Sequence, residues 1–72
     1  MATNKWGNRI KAFRKLKGYT QIQFAEELGI SVSQLGDLER GKKIPTMDHL
    51  ETIANQLDIS LDELEPQKRK EG

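Results

Sequence analysis

Three copies of one short polar motif divide this 72-residue chain into helical segments. In the motif, Ser or Thr is followed three residues later by Glu or Gln, which is the capping box of a helix start. The hydroxyl accepts a hydrogen bond from the third helical N–H group, and the longer side chain accepts one from the capping residue. The three pairs are Thr20 with Gln23, Ser31 with Gln34, and Ser60 with Glu63. The chain is therefore predicted to form several short helices.

Helix ends are signalled as clearly as helix starts. Three apolar runs are each followed by a glycine, where a left-handed residue commonly ends a helix. These glycines are Gly18, Gly29 and Gly41. Thr46, which follows Pro45, predicts one more helix start, and Pro66 ends the last segment.

Apolar residues recur at intervals of three and four residues between these signals, which is the pattern of amphipathic helices. The series is Trp6, Ile10, Phe13, Leu16 (or Lys17), Phe24, Ala25, Leu28, Leu35, Leu38, Leu50, Ile53, Ala54, Leu57, Leu61 and Leu64. The sequence has no alternating strand pattern of useful length. We therefore predict an all-α fold with five helices, over residues 5–17, 21–28, 32–40, 47–57 and 61–65.

The length of the chain predicts one domain. At this size a domain buries only about 60% of the surface that its unfolded chain exposes, so its helices must pack efficiently. We assign residues 1–66 to the domain, with an ordered part of about 5–65. Residues 67–72, QKRKEG, contain no apolar anchor and are predicted to form a flexible tail.

The composition argues against several functional classes. The lack of cysteine excludes a disulfide framework or thiolate metal site and suits the reducing cytoplasm, where we expect the protein. The first ten residues, MATNKWGNRI, have no signal-peptide core, and no stretch approaches the roughly 20 apolar residues that span a bilayer. The sequence contains no glycine-rich phosphate loop, Cys/His pair or metal-ligand cluster. We therefore expect no enzyme, cofactor, metal site, small-molecule ligand or membrane partner.

Charge is distributed unevenly along the chain. Residues 1–43 carry nine Lys/Arg and four Asp/Glu, a net charge of +5. Residues 44–65 carry six Asp/Glu and no Lys/Arg, a net charge of −6, and the last seven residues add +2. The basic part suggests a polyanionic partner, although two solvated helix faces would give the same pattern.

Residues 20–41 pair two short helices around a glycine. Counted from Gln21 as the first residue of a twenty-residue unit, Ala25 is fifth, Gly29 ninth, Leu35 fifteenth and Leu38 eighteenth. A small residue allows close helix approach, the glycine allows a sharp turn, and the leucines anchor the second helix in the core. These offsets resemble the helix-turn-helix, whose second helix lies in the major groove of DNA.

The resemblance extends over about residues 7–65. The segments RIKAFRKLKGYTQ, FAEELGIS, LERGKKIPT and LETIANQLDISLDEL resemble the XRE-like family of regulators, whose DNA-binding domains are of the phage repressor and Cro type. The resemblance implies a compact five-helix bundle in which the second and third helices form the helix-turn-helix. It also implies a sequence-specific transcriptional regulator that binds double-stranded DNA, as a possible homodimer on a palindromic operator, with a dimer surface around the fifth helix.

The resemblance assigns one surface to DNA. Gln21 matches a phosphate-contacting residue at the start of the second helix, and residues 31–33 match the start of the recognition helix. Lys42 and Lys43 lie in the following loop, where contacts to the DNA backbone are expected. The predicted DNA-binding residues are Gln21, Ser31, Val32, Ser33, Gly36, Asp37, Arg40, Lys42 and Lys43. Two interpretations stay open for the other cations, which either extend the positive field or are simply solvated, namely Arg9, Lys11, Lys15 and Lys17.

Arg14 and Glu39 match family positions that form a partly buried ion pair between the first and third helices. The guanidinium is a planar, permanently charged fork that a carboxylate can engage twice. The alternative is two exposed charges, whose interaction would be worth at most about 1 kcal/mol.

The recognition helix departs from an ideal DNA reader. Arg, Lys, Asn and Gln make the best base contacts, but the expected positions hold Val32, Ser33, Gly36 and Asp37. Val32 suits a thymine methyl and Asp37 a cytosine amine, whereas a carboxylate near phosphates is repelled. The alternative function is therefore a protein-binding adaptor or antitoxin-like module on the same fold, with weak or no DNA binding.

Overall fold

The computed structural model describes residues 5–66, and the side chains of residues 6–66. It contains five helices: α1 (Lys5–Leu16), α2 (Gln21–Leu28), α3 (Val32–Arg40), α4 (Met47–Leu57) and α5 (Leu61–Leu64). The described part has no strand, so the predicted all-α fold is confirmed. The first and last helices each end one residue earlier than predicted. The tail 67–72, which is predicted to be flexible, lies outside the described residues, as do residues 1–4.

Local hydrogen bonds set the helix boundaries. All three predicted capping boxes form with both bonds in place, at the starts of α2, α3 and α5. Thr46 caps α4 through its hydroxyl, which accepts from the N–H of His49 at 3.1 Å. Gly29 and Gly41 end α2 and α3 with φ of 75° and 80°. Asp58, at φ 60°, ends α4 in the same left-handed conformation without being glycine, which the sequence analysis did not predict.

One apolar core joins the five helices. α1 packs against α3, α4 and α5, while α2 packs against α3 and α4. The largest fully buried side chains are Phe24, Ile10, Leu35, Ile53, Leu57 and Leu64. Ile59 and Leu61 are half-buried against this core. No helix in the described range combines the length and apolar character that a membrane span requires.

The buried face of α1 differs from the predicted one. Leu16 is 75% exposed, although it continues the apolar series, whereas Arg14 is only 6% exposed. Arg14 lies four residues after the buried Ile10 and therefore shares its helix face. Periodicity correctly predicted the helix, but it predicted that Leu16 is buried, whereas the fold buries Arg14.

Gly7 allows α1 to approach the C-terminal end of α3. The residue is buried, and a Cβ atom there would lie 2.4 Å from the carbonyl oxygen of Leu38 and 2.5 Å from that of Glu39. Those distances are too short for any real carbon–oxygen contact, so only glycine fits without a backbone shift. Glycine within a helix costs about 1 kcal/mol relative to alanine, and this close approach gives Gly7 a packing role.

Arg9 attaches α5 to α1. Its guanidinium donates to the carbonyl oxygens of Leu64, at 3.4 Å, and Glu63, and it lies 5.2 Å from the centre of the Phe13 ring. The last carbonyls of a helix lack partners within the helix and favour a cation. The Arg9 guanidinium, predicted to extend the positive field, is therefore held at the end of α5, and it keeps its charge there because both acceptors are neutral carbonyl groups.

Candidate nucleic-acid interface

The turn between α2 and α3 is closed by backbone hydrogen bonds. Gly29 adopts the left-handed conformation, and the N–H of Ile30 donates to the carbonyl oxygen of Ala25 at 3.0 Å. Ala25 is 2% exposed, so a larger side chain there would meet the core. The predicted roles of the small residue and the glycine are confirmed, and the two helices form the bent pair expected of a helix-turn-helix.

The first turn of α3 faces solvent while the rest of the helix is anchored in the core. Residues 31–34 are exposed, and Leu35 and Leu38 are buried. Gln34 is held at the helix start, because its side-chain oxygen accepts from the N–H of Ser31 at 3.0 Å. The turn also offers the Ser33 hydroxyl group and the half-exposed methyl groups of Val32, which is 43% exposed. The Ser31 hydroxyl accepts from the N–H of Gln34 at 3.0 Å and keeps its own O–H as a donor.

Arg14 and Glu39 form the expected ion pair, and it is buried. Arg14 Nε lies 2.6 Å from Glu39 Oε2, and Nη2 lies 3.2 Å from Oε1, so both carboxylate oxygens are engaged. The two side chains are 7% and 2% exposed, which excludes the alternative of two solvated charges. The third guanidinium nitrogen, Nη1, donates to the carbonyl oxygen of Tyr19 at 2.9 Å. One side chain thus joins α1, the segment before α2, and α3.

Gln21 belongs to the same buried network. Its side-chain nitrogen donates to Glu39 Oε1 at 3.0 Å, and the residue is half-buried. The side chain predicted to contact phosphate therefore has an internal partner. The sequence contains no local signal for this bond, because the two residues are 18 positions apart.

The outer side of α3 carries a second ion pair. Arg40 Nη2 lies 2.9 Å from Asp37 Oδ1, and the side chains are 61% and 29% exposed respectively. The guanidinium lies across Gly36, where a Cβ atom would be 3.2 Å from Arg40 Nη1. Gly36 lies on the outward side of α3, as predicted, but it is buried under Arg40.

The exposed lysines and the other exposed acidic residues lie on different helices. Lys42 and Lys43 are exposed after α3, and Lys11, Lys15 and Lys17 are exposed on or just after α1. Exposed acidic residues lie on α2, on α4, on α5 and next to the last two helices, namely Glu26, Glu27, Asp48, Glu51, Asp58, Asp62, Glu63 and Glu65. Within residues 5–66, no group of three or more His, Asp or Glu residues is arranged to hold a metal ion.

Comparison with known proteins places this geometry in a family. The family model described as helix-turn-helix matches residues 10–64. The chain is 54% identical over 69 residues to the uncharacterized HTH-type transcriptional regulator YazB of Bacillus subtilis, covering 96% of this chain and 100% of that protein. It is 45% identical over 56 residues to the cryptic phage CTXphi transcriptional repressor RstR of Vibrio cholerae, covering 78% of this chain and 50% of the repressor.

A solved structure matches the fold over most of this chain. The crystal structure of SinR, a master regulator of biofilm formation, in complex with DNA has a TM-score of 0.76 and is 38% identical. The match covers 82% of this chain and 95% of that one. With its five helices, its bent helix pair and its buried Arg14–Glu39 brace, the chain belongs to the XRE-type helix-turn-helix family of transcriptional regulators.

Proposed function

We propose that the protein is a sequence-specific DNA-binding transcriptional regulator that places α3 in the major groove. The observation that carries the proposal is the orientation of α3, whose first turn is exposed while Leu35, Leu38 and Glu39 anchor the rest. A helix held so firmly on its inner side can present its outer side in a fixed orientation. SinR, which has this fold, is solved on DNA.

The exposed groups of α3 and its loop divide into two roles. Ser31, Val32 and Ser33 contact base edges, through hydroxyl groups and through the contact that methyl groups make with thymine. Lys42 and Lys43 meet phosphates, which position the protein and carry no sequence information. The side chain of Gln21 bonds Glu39, so its phosphate contact uses the backbone N–H group and the positive end of α2.

The regulator acts as a dimer on a palindromic operator in the cytoplasm. Two recognition helices would then contact half-sites about 34 Å apart, one turn of the duplex. The proposed dimer surface surrounds α5. Leu64 is fully buried and belongs to the core, which leaves the half-buried Ile59 and Leu61 to contribute apolar contact area.

Selection of bound duplexes from a random pool, at about 50 and 200 mM salt, tests this function. We expect one enriched palindrome, and an affinity whose logarithm falls with log salt at a slope near 0.9 per neutralised phosphate. Lys42→Ala should weaken binding to all duplexes equally and lower the slope of log affinity against log salt by about 1. Ser33→Asn should instead change which base is selected. A pool that enriches nothing at either salt concentration would contradict the proposal.

One observation favours the alternative, a protein-binding adaptor or antitoxin-like module. Asp37 puts a carboxylate on the outer side of α3, where it cancels the charge of Arg40 and so lowers the attraction for phosphate, and the whole chain carries a formal charge of only +1. Such a module would show almost no binding to any duplex, even at low salt. The same titrations therefore distinguish the two functions.

A further inference from the structure

We infer that Asp37 and Arg40 act as one unit that selects a G·C base pair, an inference that rests on the proposed DNA-binding function. The two side chains lie on the outer side of α3, joined at 2.9 Å between Arg40 Nη2 and Asp37 Oδ1. Neither is buried, with side chains 61% and 29% exposed, so both groups are accessible to a duplex that covers this side of the helix.

The pair offers a hydrogen-bond acceptor next to hydrogen-bond donors. A carboxylate has two oxygens and a guanidinium five N–H donors, so each group has capacity beyond the bond that joins them. In the major groove, guanine presents the acceptors N7 and O6, and its partner cytosine presents the N4 amine as a donor. Arg40 facing guanine and Asp37 facing cytosine would satisfy all three groups of one base pair.

An A·T pair does not fit the same arrangement. Its major-groove edge places the adenine amine between two acceptors, adenine N7 and thymine O4, and adds the thymine methyl group. A carboxylate next to thymine would meet an acceptor and a methyl group. It would lose its hydrogen bonds to water there and find no donor to replace them. The pair therefore discriminates by an unfavourable contact as well as by a favourable one.

The pair also explains how an acidic residue is tolerated on a surface that meets phosphates. Asp37 alone would repel the duplex, but the adjacent guanidinium neutralises it. A neutral pair adds nothing to the general attraction for DNA, so its contribution depends on the bases that it meets. Asp37 is on this account a specificity-determining residue.

Gly36 makes this geometry possible. Arg40 lies over the helix backbone at Gly36, and a Cβ atom would be 3.2 Å from Arg40 Nη1. Alanine at this position would move the guanidinium by a few tenths of an ångström without changing any charge. Gly36→Ala thus provides a charge-neutral test of whether the position of Arg40 matters.

The experiment compares base preferences from random-pool selection for the wild-type protein and four variants. The wild-type chain should prefer G·C by about tenfold at one position of each half-site. In Asp37→Asn, the preference at that position should vanish or move to A·T, because Asn pairs with adenine. Arg40→Lys keeps the charge without the planar fork, and should lose the preference while its overall affinity stays within about threefold.

Two further variants complete the set. Gly36→Ala should weaken the same preference by about two- to threefold, and Ser33→Ala should leave it intact while changing the preference at another position. Thermal unfolding of each variant verifies that it is folded, since these residues are not part of the apolar core.

The outcomes separate this inference from the proposed function. If Asp37→Asn binds every duplex more tightly with an unchanged preference profile, Asp37 only repels phosphate and the inference is wrong, although the protein still binds DNA. The inference is equally wrong if Arg40→Lys retains the full G·C preference. If the wild-type protein binds no duplex, the proposed function fails, and this inference fails with it.

Discussion

The inner and outer sides of α3 carry the same pair of chemical groups in opposite surroundings. On the inner side, Arg14 and Glu39 meet through two hydrogen bonds with side chains at most 7% exposed. On the outer side, Arg40 and Asp37 meet through one bond in contact with solvent. Removing one partner of an interior ion pair is costly, because the other charge is then left buried without a partner. An exposed pair contributes little stability and remains available to a ligand.

The glycines of α1 and α3 show the same contrast between the inner and outer sides of α3. Gly7 faces the backbone of α3 at a distance that no side chain tolerates, whereas the atoms nearest to a Cβ on Gly36 belong to the flexible end of Arg40. The same residue type thus serves packing on the inner side and accommodates a long side chain on the outer side.

The largest effect is expected from Glu39→Ala. The substitution leaves the buried Arg14 guanidinium without its carboxylate, which should lower the free energy of unfolding by about 3–5 kcal/mol. Urea denaturation measures the change, and Asp37→Ala on the outer side is the matched control, with an expected loss below about 1 kcal/mol. Equal losses in the two variants would remove the distinction between the two sides.

Gly7→Ala should have the next largest effect. The added methyl group would overlap the carbonyl oxygens of Leu38 and Glu39, so α1 must move away from α3 at a loss of about 1–3 kcal/mol. Chemical denaturation reports the loss. Ala12→Gly is a control for helix propensity alone, because Ala12 is exposed on the same helix and should lose only about 1 kcal/mol. A Gly7→Ala protein as stable as the wild type would refute the close approach.

Gly36→Ala should change stability in the opposite direction. Alanine is favoured over glycine within a helix by up to about 1 kcal/mol, and the neighbouring Arg40 side chain can shift. The thermal midpoint should therefore stay the same or rise slightly. A clear fall would mean that Arg40 is held more rigidly than an exposed side chain should be.

The smallest effect is expected from Asp37→Asn. An exposed pair three residues apart on a helix contributes about 0.2–0.5 kcal/mol. The loss should disappear at 1 M salt, where the Debye length is about 3 Å. A loss of several kcal/mol that persists in salt would show that this pair, like the inner one, stabilises the fold.

Features that depend on neighbours in sequence could be predicted from the sequence. The helix starts follow from residues three positions apart, as with Thr20 and Gln23. Three of the helix ends follow from left-handed glycines, namely Gly18, Gly29 and Gly41. The family motif identified the Arg14–Glu39 pair, although periodicity alone would have buried Leu16 instead.

The sequence by itself determined which segments are helical and which glycines end them, because those choices depend on bonds within one turn. Only the tertiary structure decided which partners the charged and polar side chains contact. Arg9 binds the end of α5 some 55 residues away, and Gln21 joins Glu39 across 18. A side chain with several donors can bond to many different acceptors. The packing of distant helices determines which acceptor is within reach, so a local sequence pattern cannot predict the partner.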